Sequence, residues 1–144
     1  MTSDVYLFIH APMWTKARIR AKEAQIKDLE LMMLPSGIRY DKDAVQTSPG
    51  DPMLEFAEKL TELEAEILAL KRQYLTEQRH VSEMINKLPP DEAEVLTERY
   101  IMGLRFEEIA ESCHVAERTV YRWHRLGIRH LSELLVPKDV SECQ

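Results

Sequence analysis

Glycine, cysteine and long apolar runs are all scarce in this sequence, and each scarcity argues against a class of protein. Only 4 glycines occur in 144 residues, whereas charged residues make up 31% and gather in Glu/Lys/Leu/Ala tracts that favour helices over strands. Cys113 and Cys143 form no CxxC motif and follow no secretory leader, which argues against a disulfide framework. No apolar run approaches the roughly 18 residues of a membrane span. We therefore expect an all-α, cytoplasmic protein without a membrane partner.

The sequence also lacks the residue groupings that catalysis requires. It has no glycine-rich phosphate loop, no Ser/His/Asp or Cys/His constellation and no paired carboxylates in a pocket-forming context. Cys113, His114, His124 and His130 lie close together in the sequence, but their spacings match no zinc signature. We predict that the protein is not an enzyme and has no metal or cofactor site.

Charge is distributed unevenly along the chain. The formal net charge of -6 argues against a protein that coats nucleic acid nonspecifically, because such binding is driven by neutralisation of phosphates. Residues 114–131 nevertheless contain four Arg and one acid, whereas residues 91–111 contain seven acids and two Arg. A local basic surface is therefore expected near the C-terminus of an acidic protein.

The N-terminal part of the chain predicts a helix followed by a linker. Pro12 suits the first turn of a helix over residues 12–34, and apolar residues then recur every seven positions. They are Ile19, Ile26 and Met33. Residues 35–52 are rich in Pro, Gly, Ser and Asp, which indicates a linker or an extended arm. We assign residues 1–52 to this helix and arm; the basic early half of the helix leaves open a contact with DNA.

Residues 53–88 carry the most regular pattern in the chain, a heptad repeat that predicts one long helix. The apolar heptad positions are Met53, Phe56, Leu60, Leu63, Ile67, Leu70, Tyr74, Val81, Met84 and Leu88, with Glu77 as a polar interruption. A helix of this length needs a partner to cover its apolar side. The partner is either the same helix of another chain, which gives a homo-oligomer and most simply a dimer, or helix 12–34 folded back as an antiparallel hairpin.

Residues 89–136 predict a helix-turn-helix domain, with residues 137–144 as a tail. The pattern indicates a helix from Asp91 to Gly103, a short helix from Phe106, a tight turn with Val115 as its apolar plug, and a last helix over 117–135. On the last helix, Trp123 shares an apolar side with Val120, Gly127, Ile128 and Leu131, so we interpret it as a core residue. Arg118, Arg122, Arg125 and Arg129 occupy the other faces.

These motifs resemble a known DNA-binding module. The stretch "LPPDEAEVLTERYIMGLRFEEIAESCHVAERTVYRWHRLGIRHLSELL" is similar to region 4 of bacterial sigma factors, in its LP, VL, RY, EEIA and TV elements and its basic end before a Leu pair. The preceding "YDKDAVQTSPGDPMLEFAEKLTELEAEI" resembles the small phage transcriptional regulators of the RinA/ArpU-like type, which join such a segment to a region 4-like C-terminus.

The resemblance implies roles for individual residues of the last helix. Glu117, Arg118, Thr119 and Arg122 stand where sigma region 4 reads base edges, and the remaining positions stand closer to the DNA backbone. The latter are Tyr121, Arg125 and Arg129. Two departures from the family pattern occur: Ala116 replaces the usual Ser or Thr, which removes an N-cap, and Glu111-Ser112-Cys113-His114 replaces the usual glycine-containing turn.

The expected function is that of a phage or prophage transcriptional activator that binds double-stranded DNA through its C-terminal helix. By analogy with sigma region 4, RNA polymerase is a further expected partner, contacted through an acidic face. That face would comprise Glu94, Glu98, Glu107, Glu108 and Glu111. Two alternatives remain open: a small terminase subunit in DNA packaging, and an interaction protein that binds RNA polymerase without reading DNA.

Overall fold

The computed structural model describes residues 3–34 and 51–136, which form five α-helices and, within these ranges, no strand. The helices are α1 (Ser3–Met32), α2 (Pro52–Ile85), α3 (Pro90–Leu96), α4 (Phe106–Cys113) and α5 (Glu117–Leu135), and a π-helical turn, Thr97–Ile101, continues α3. The all-α prediction is confirmed. The predicted tail, and all but the last two residues of the predicted linker, lie outside the described residues. No described helix is long and apolar enough to cross a membrane.

The chain divides into two compact units, and both long helices contribute to each of them. The head unit comprises the described residues 3–14 and 74–136. The hairpin unit comprises the described residues 15–34 and 51–73.

In the hairpin unit, α1 and α2 run antiparallel. Lys22 Nζ lies 2.7 Å from Glu66 Oε2, and the side-chain amide of Gln73 donates to the Thr15 hydroxyl at 3.4 Å. At the other end of the unit, the last turn of α1 and the first turns of α2 line one shallow groove. Of the two partners considered for the heptad helix, the intrachain one is therefore present here.

The heptad positions of the hairpin unit are partly covered within a single chain. Leu63 and Ile67 are buried, and α1 supplies the other described helix of this unit, so we infer that they pack against α1. The neighbouring heptad positions Phe56, Leu60 and Leu70 are half-buried, and Met53 is exposed. Self-association through these residues, which we predicted from the heptad, stays a prediction.

The head unit is built around a larger apolar cluster, the main core. Its buried members are Val5, Ile9, Val81, Ile85, Leu88, Leu96, Tyr100, Ile128 and Leu131. The cluster therefore joins the start of α1, the end of α2, the α3 segment and α5. Gly127 lets α5 approach α3 closely, since a Cβ at this position would lie 3.1 Å from Leu96 Cδ1. Beside it, His130 Nδ1 contacts the buried carboxylate of Glu92 at 2.6 Å.

The predicted start of the first helix at Pro12 is wrong, because α1 begins nine residues earlier at Ser3. Proline has no amide hydrogen, so the bond to the carbonyl of Phe8 is absent inside the helix. The Pro12 ring is fully buried, and Val5 and Ile9 are buried in the main core. We infer that this apolar burial offsets the missing hydrogen bond and keeps the segment helical.

Candidate nucleic-acid interface

Helices α4 and α5 pack on a second apolar cluster, the turn core. Its buried members are Val95, Ile109, Ala110 and Val120, with Leu104, Phe106, Cys113, Val115 and Trp123 partly buried against it. The predictions that Val115 plugs the turn and that Trp123 is a core residue are confirmed. Helix α4 begins with a capping interaction, in which the Arg105 amide donates to Glu108 Oε1 at 2.8 Å. That hydrogen bond and the Arg105 side chain lower the pKa of Glu108.

The turn between the two helices places a histidine in a conformation that favours glycine. His114 has φ 58° and ψ 44°, the left-handed region, and the Val115 amide then donates to the Ala110 carbonyl at 3.1 Å. The departure from a glycine-containing turn that the sequence shows therefore falls on the residue that needs left-handed backbone.

Helix α5 begins at Glu117 without a side-chain cap, as the sequence predicts. Ala116 is extended, with φ −74° and ψ 152°, and offers the first amides of the helix no side-chain acceptor. The first turn therefore retains backbone N–H groups without a side-chain partner. Glu117, at the first helical position, is exposed and its negative charge is favourable at this end of a helix.

The four arginines of α5 form an exposed arginine face, comprising Arg118, Arg122, Arg125 and Arg129. The opposite side of the helix is fixed by the buried residues Val120, Gly127, Ile128 and Leu131. None of the four guanidinium groups forms an ion pair with a described residue. The positive charge of α5 is therefore not neutralised by the acids of the described chain and is presented to solvent.

The other predicted DNA-binding residues lie beside the arginine face, with unequal exposure. Glu117 is exposed and Thr119 is half-buried. Tyr121 is 48% exposed, and its ring packs against Phe106 with centroids 4.7 Å apart. Tyr121 is therefore half exposed to solvent, with its ring packed against a residue of α4.

An aromatic cluster that the sequence did not predict packs against α5 through His124. The Tyr100 hydroxyl and His124 Nε2 lie 2.7 Å apart, and the rings of Phe106 and His124 form a T-shaped pair with centroids 5.1 Å apart. His10 of α1 meets the Tyr100 ring at 5.1 Å. No local pattern signals this cluster, because its members are brought together from α1, the π-helical turn, α4 and α5.

The ionisation of this cluster follows from its burial. Burial, followed by the nearby Arg99 and His10, lowers the pKa of His124 to about 4. Burial also raises the pKa of Tyr100. At neutral pH the imidazole is therefore neutral, and its Nε2 shares a hydrogen bond with the Tyr100 hydroxyl whose direction is set by the tautomer of the ring.

The predicted acidic face is wrong at one position. Glu98 is 8% exposed and accepts a hydrogen bond from the Ser112 hydroxyl at 2.7 Å, so it joins the end of α4 to the π-helical turn. The remaining predicted acids are exposed. They are Glu94, Glu107, Glu108 and Glu111.

Cys113 lies beside two carboxylates, and its ligand atom is within 4.8 Å of those of Glu94 and Glu98. Burial, together with these two negative charges, raises the pKa of the Cys113 thiol to about 11. The thiol is therefore protonated at neutral pH, and it donates a hydrogen bond to Glu98 Oε2 at 3.8 Å. We assign these residues to packing and hydrogen bonding between α3 and α4.

Comparison with known proteins identifies the C-terminal part of the chain. No curated protein and no solved structure matches the sequence. Residues 78–131 match the family model described as Sigma-70, region 4, a range that contains the end of α2, the whole of α3 and α4, and most of α5. This part of the chain is therefore a Sigma-70 region 4-like helix-turn-helix domain.

Proposed function

We propose that the protein is a sequence-specific, double-stranded DNA-binding regulator of transcription that reads the major groove with α5. The observation that carries this proposal is the arginine face, four exposed guanidinium groups without an acidic partner in the described chain. An unpaired positive face fits a phosphate backbone and guanine edges. The match to Sigma-70, region 4 supports the same function.

In the proposed mode of binding, the first turns of α5 enter the groove. Arg118 and Arg122, with Glu117 and Thr119, contact base edges, and each bidentate arginine–guanine pair contributes roughly 1–3 kcal/mol of discrimination. Arg125 and Arg129, with Tyr121, contact the phosphate backbone and set the orientation of the helix on the duplex. Val120 in the turn core, and Ile128 and Leu131 in the main core, fix the position of α5 from which these contacts are made.

The finer proposal is that of a phage or prophage activator in the cytoplasm of a bacterial host. The RinA/ArpU-like resemblance of residues 40–67 supports this assignment. The exposed acids of α3 and α4 provide a surface for RNA polymerase on the DNA-bound protein. The activity is one of binding, and we propose no catalytic step.

The test of DNA reading is selection of bound duplexes from a random library at near-physiological salt. The wild type should enrich a defined motif, and Arg118→Ala/Arg122→Ala should enrich none, because it lacks the base-reading side chains. The matched control is Arg79→Ala/Lys87→Ala, which removes the same charge from exposed positions outside α5. This control should recover the wild-type motif with weaker binding.

Enrichment of the same motif by the wild type and the Arg118/Arg122 variant would refute major-groove reading by α5. Contact with RNA polymerase is tested separately, with Glu107→Lys/Glu111→Lys in transcription from the selected site. We expect this variant to bind DNA at least as tightly as the wild type, because it adds positive charge, and to lose activation. Activation equal to that of the wild type would refute the acidic surface as the polymerase contact.

A further inference from the structure

Helix α2 has a second face with heptad spacing in the hairpin unit, and the hairpin leaves this face exposed. Its residues recur at alternating intervals of four and three, the spacing of a heptad. This outer stripe consists of Leu54, Glu58, Thr61, Ala65, Leu68 and Arg72, all exposed. Leu63 of the buried side is nine residues from Leu54, which is about two and a half turns at 3.6 residues per turn. The outer stripe therefore lies opposite the side that packs on α1.

Two leucines and two small residues form the apolar part of the outer stripe, and Glu58 and Arg72 are its charged members. Leu54 and Leu68 are 56% and 53% exposed. The Thr61 hydroxyl donates to the Ala57 carbonyl at 2.9 Å, so its polar atom is satisfied within the helix and its methyl group is available for packing. A shallow depression runs along this face between Ala57 and Ala65, and it can accept side chains of another helix.

The charges around the outer stripe are complementary between two antiparallel copies of this chain. Residues 55–66 contain five Glu and one Lys, whereas Lys71 and Arg72 follow at the other end of the stripe. The adjacent part of α1, residues 16–22, adds four Lys or Arg and no acid. The hairpin unit thus has one acidic end and one basic end, and two antiparallel copies would place each acidic end on a basic end.

We propose that two copies of the chain associate through the outer stripe, with their α2 helices antiparallel and a two-fold axis at Ala65. Ala65 then faces Ala65 of the second copy, where its small side chain allows close approach. Glu58 and Arg72 lie seven residues on either side of Ala65, so each Glu58 meets Arg72 of the second copy. Neither side chain forms an ion pair among the described residues, so both are available. This interface does not rest on the DNA-binding proposal.

The first test is sedimentation equilibrium of the full chain at micromolar concentration without DNA. The wild type should be a dimer, and Leu68→Glu should weaken association at least about 100-fold, because it places an unpaired charge in the apolar contact. The matched control is Leu31→Glu at an exposed leucine of α1, which should remain a dimer. Circular dichroism should show equal helix content in all three proteins.

The second test addresses register and direction. Glu58→Arg and Arg72→Glu should each weaken the dimer, and the double variant should restore association to within about threefold, since it re-forms the charge pair in reverse. Oxidation should cross-link Ala65→Cys and leave Leu54→Cys uncross-linked, because only position 65 meets itself in an antiparallel pair. The parent chain, with its native cysteines, is the control.

Three results would overturn the proposal. The first is a wild type that is monomeric at a concentration on the order of 100 micromolar. The second is a dimer whose association is unchanged by Leu68→Glu. The third is equal cross-linking of Leu54→Cys and Ala65→Cys, as expected for a parallel pair. Because none of these measurements contains DNA, their failure would leave the reading of DNA by α5 untouched.

Discussion

The head unit and the hairpin unit differ in how much apolar surface their described residues bury. The head unit buries nine residues in its main core and four in its turn core. The hairpin unit buries three hydrophobic residues, Ile19, Leu63 and Ile67. Since burial of apolar area is the dominant stabilising contribution in folding, the head unit has the larger reserve of stability. The proposed DNA-reading helix thus belongs to the better-packed region, and the hairpin has more to gain from a partner.

The largest expected effect on stability comes from a substitution in the part of the main core that α1 supplies. Ile9→Ala should lower the free energy of unfolding by about 2–5 kcal/mol, because Ile9 is fully buried and the truncation leaves a cavity among side chains that cannot close it. Urea denaturation followed by circular dichroism measures this loss. Leu7→Ala, two residues away and exposed, is the control and should change stability by less than about 0.5 kcal/mol. Equal effects of both substitutions would show that the start of α1 does not stabilise the head unit.

The second prediction compares the two units directly by amide hydrogen exchange. Amides of α5 should exchange only through opening of the whole head unit, whereas those of α2 between 54 and 70 should exchange through local opening of the hairpin. We expect opening free energies at least about 2 kcal/mol apart at low protein concentration. Raising the concentration should narrow the gap, since dimerisation would protect the hairpin. If the amides of the two units were equally protected from exchange at every concentration, the inference that the head unit is the more stable one would be contradicted.

The third prediction concerns the pH dependence of the head unit. The pKa of His124 is about 4 in the folded protein and about 6.5 in an unfolded chain. Between these values the unfolded state binds the additional proton, so the free energy of unfolding falls as pH decreases from 6.5 to 4. Allowing for the partial exposure of the ring, this loss should be on the order of 1–2 kcal/mol.

His124→Gln tests this contribution, because the glutamine amide can still form a hydrogen bond with the Tyr100 hydroxyl and does not titrate. The stability difference between wild type and variant should shrink as the pH falls from 7 to 4.5, when measured by urea denaturation. His80→Gln, at an exposed position of α2, is the control for loss of a histidine. Its free energy of unfolding should depend on pH as that of the wild type does. If the free energy of unfolding of His124→Gln changed with pH as steeply as that of the wild type, the assignment of the acid sensitivity to His124 would be refuted.

Local sequence patterns predicted the elements that carry the proposed site. Helix α5 has the predicted range, Val115 closes the turn, and Ala116 leaves the helix without a side-chain cap, because periodicity and capping depend on neighbouring residues. The start of α1 was missed for a physical reason: Pro12 is favourable at a first turn, and only burial by distant residues reveals that it lies inside a helix.

The remaining features that the sequence did not reveal also depend on contacts between distant parts of the chain. Glu98 reads as one more acid of a solvated face until Ser112, fourteen residues later, is placed beside it. His124 reads as a polar neighbour of Trp123 until Tyr100 and Phe106 enclose it. The heptad of α2 predicts that a partner helix is needed, but the identity of that helix is decided by the fold of α1.

The smallest expected effect on stability comes from His114, in the turn between α4 and α5. Among the described residues, it is the only non-glycine residue with positive φ. His114→Gly should raise the free energy of unfolding by about 0.5–1 kcal/mol, because a left-handed residue with a Cβ costs about 1–2 kcal/mol and the greater freedom of glycine in the unfolded chain cancels part of that gain. His114→Ala keeps the strain and should gain nothing, which separates backbone conformation from loss of the imidazole. Denaturation measures both variants, and DNA affinity should stay at the wild-type value, since the turn would only become less strained. A loss of stability in His114→Gly would mean that the imidazole makes a stabilising contact worth more than the backbone strain it imposes.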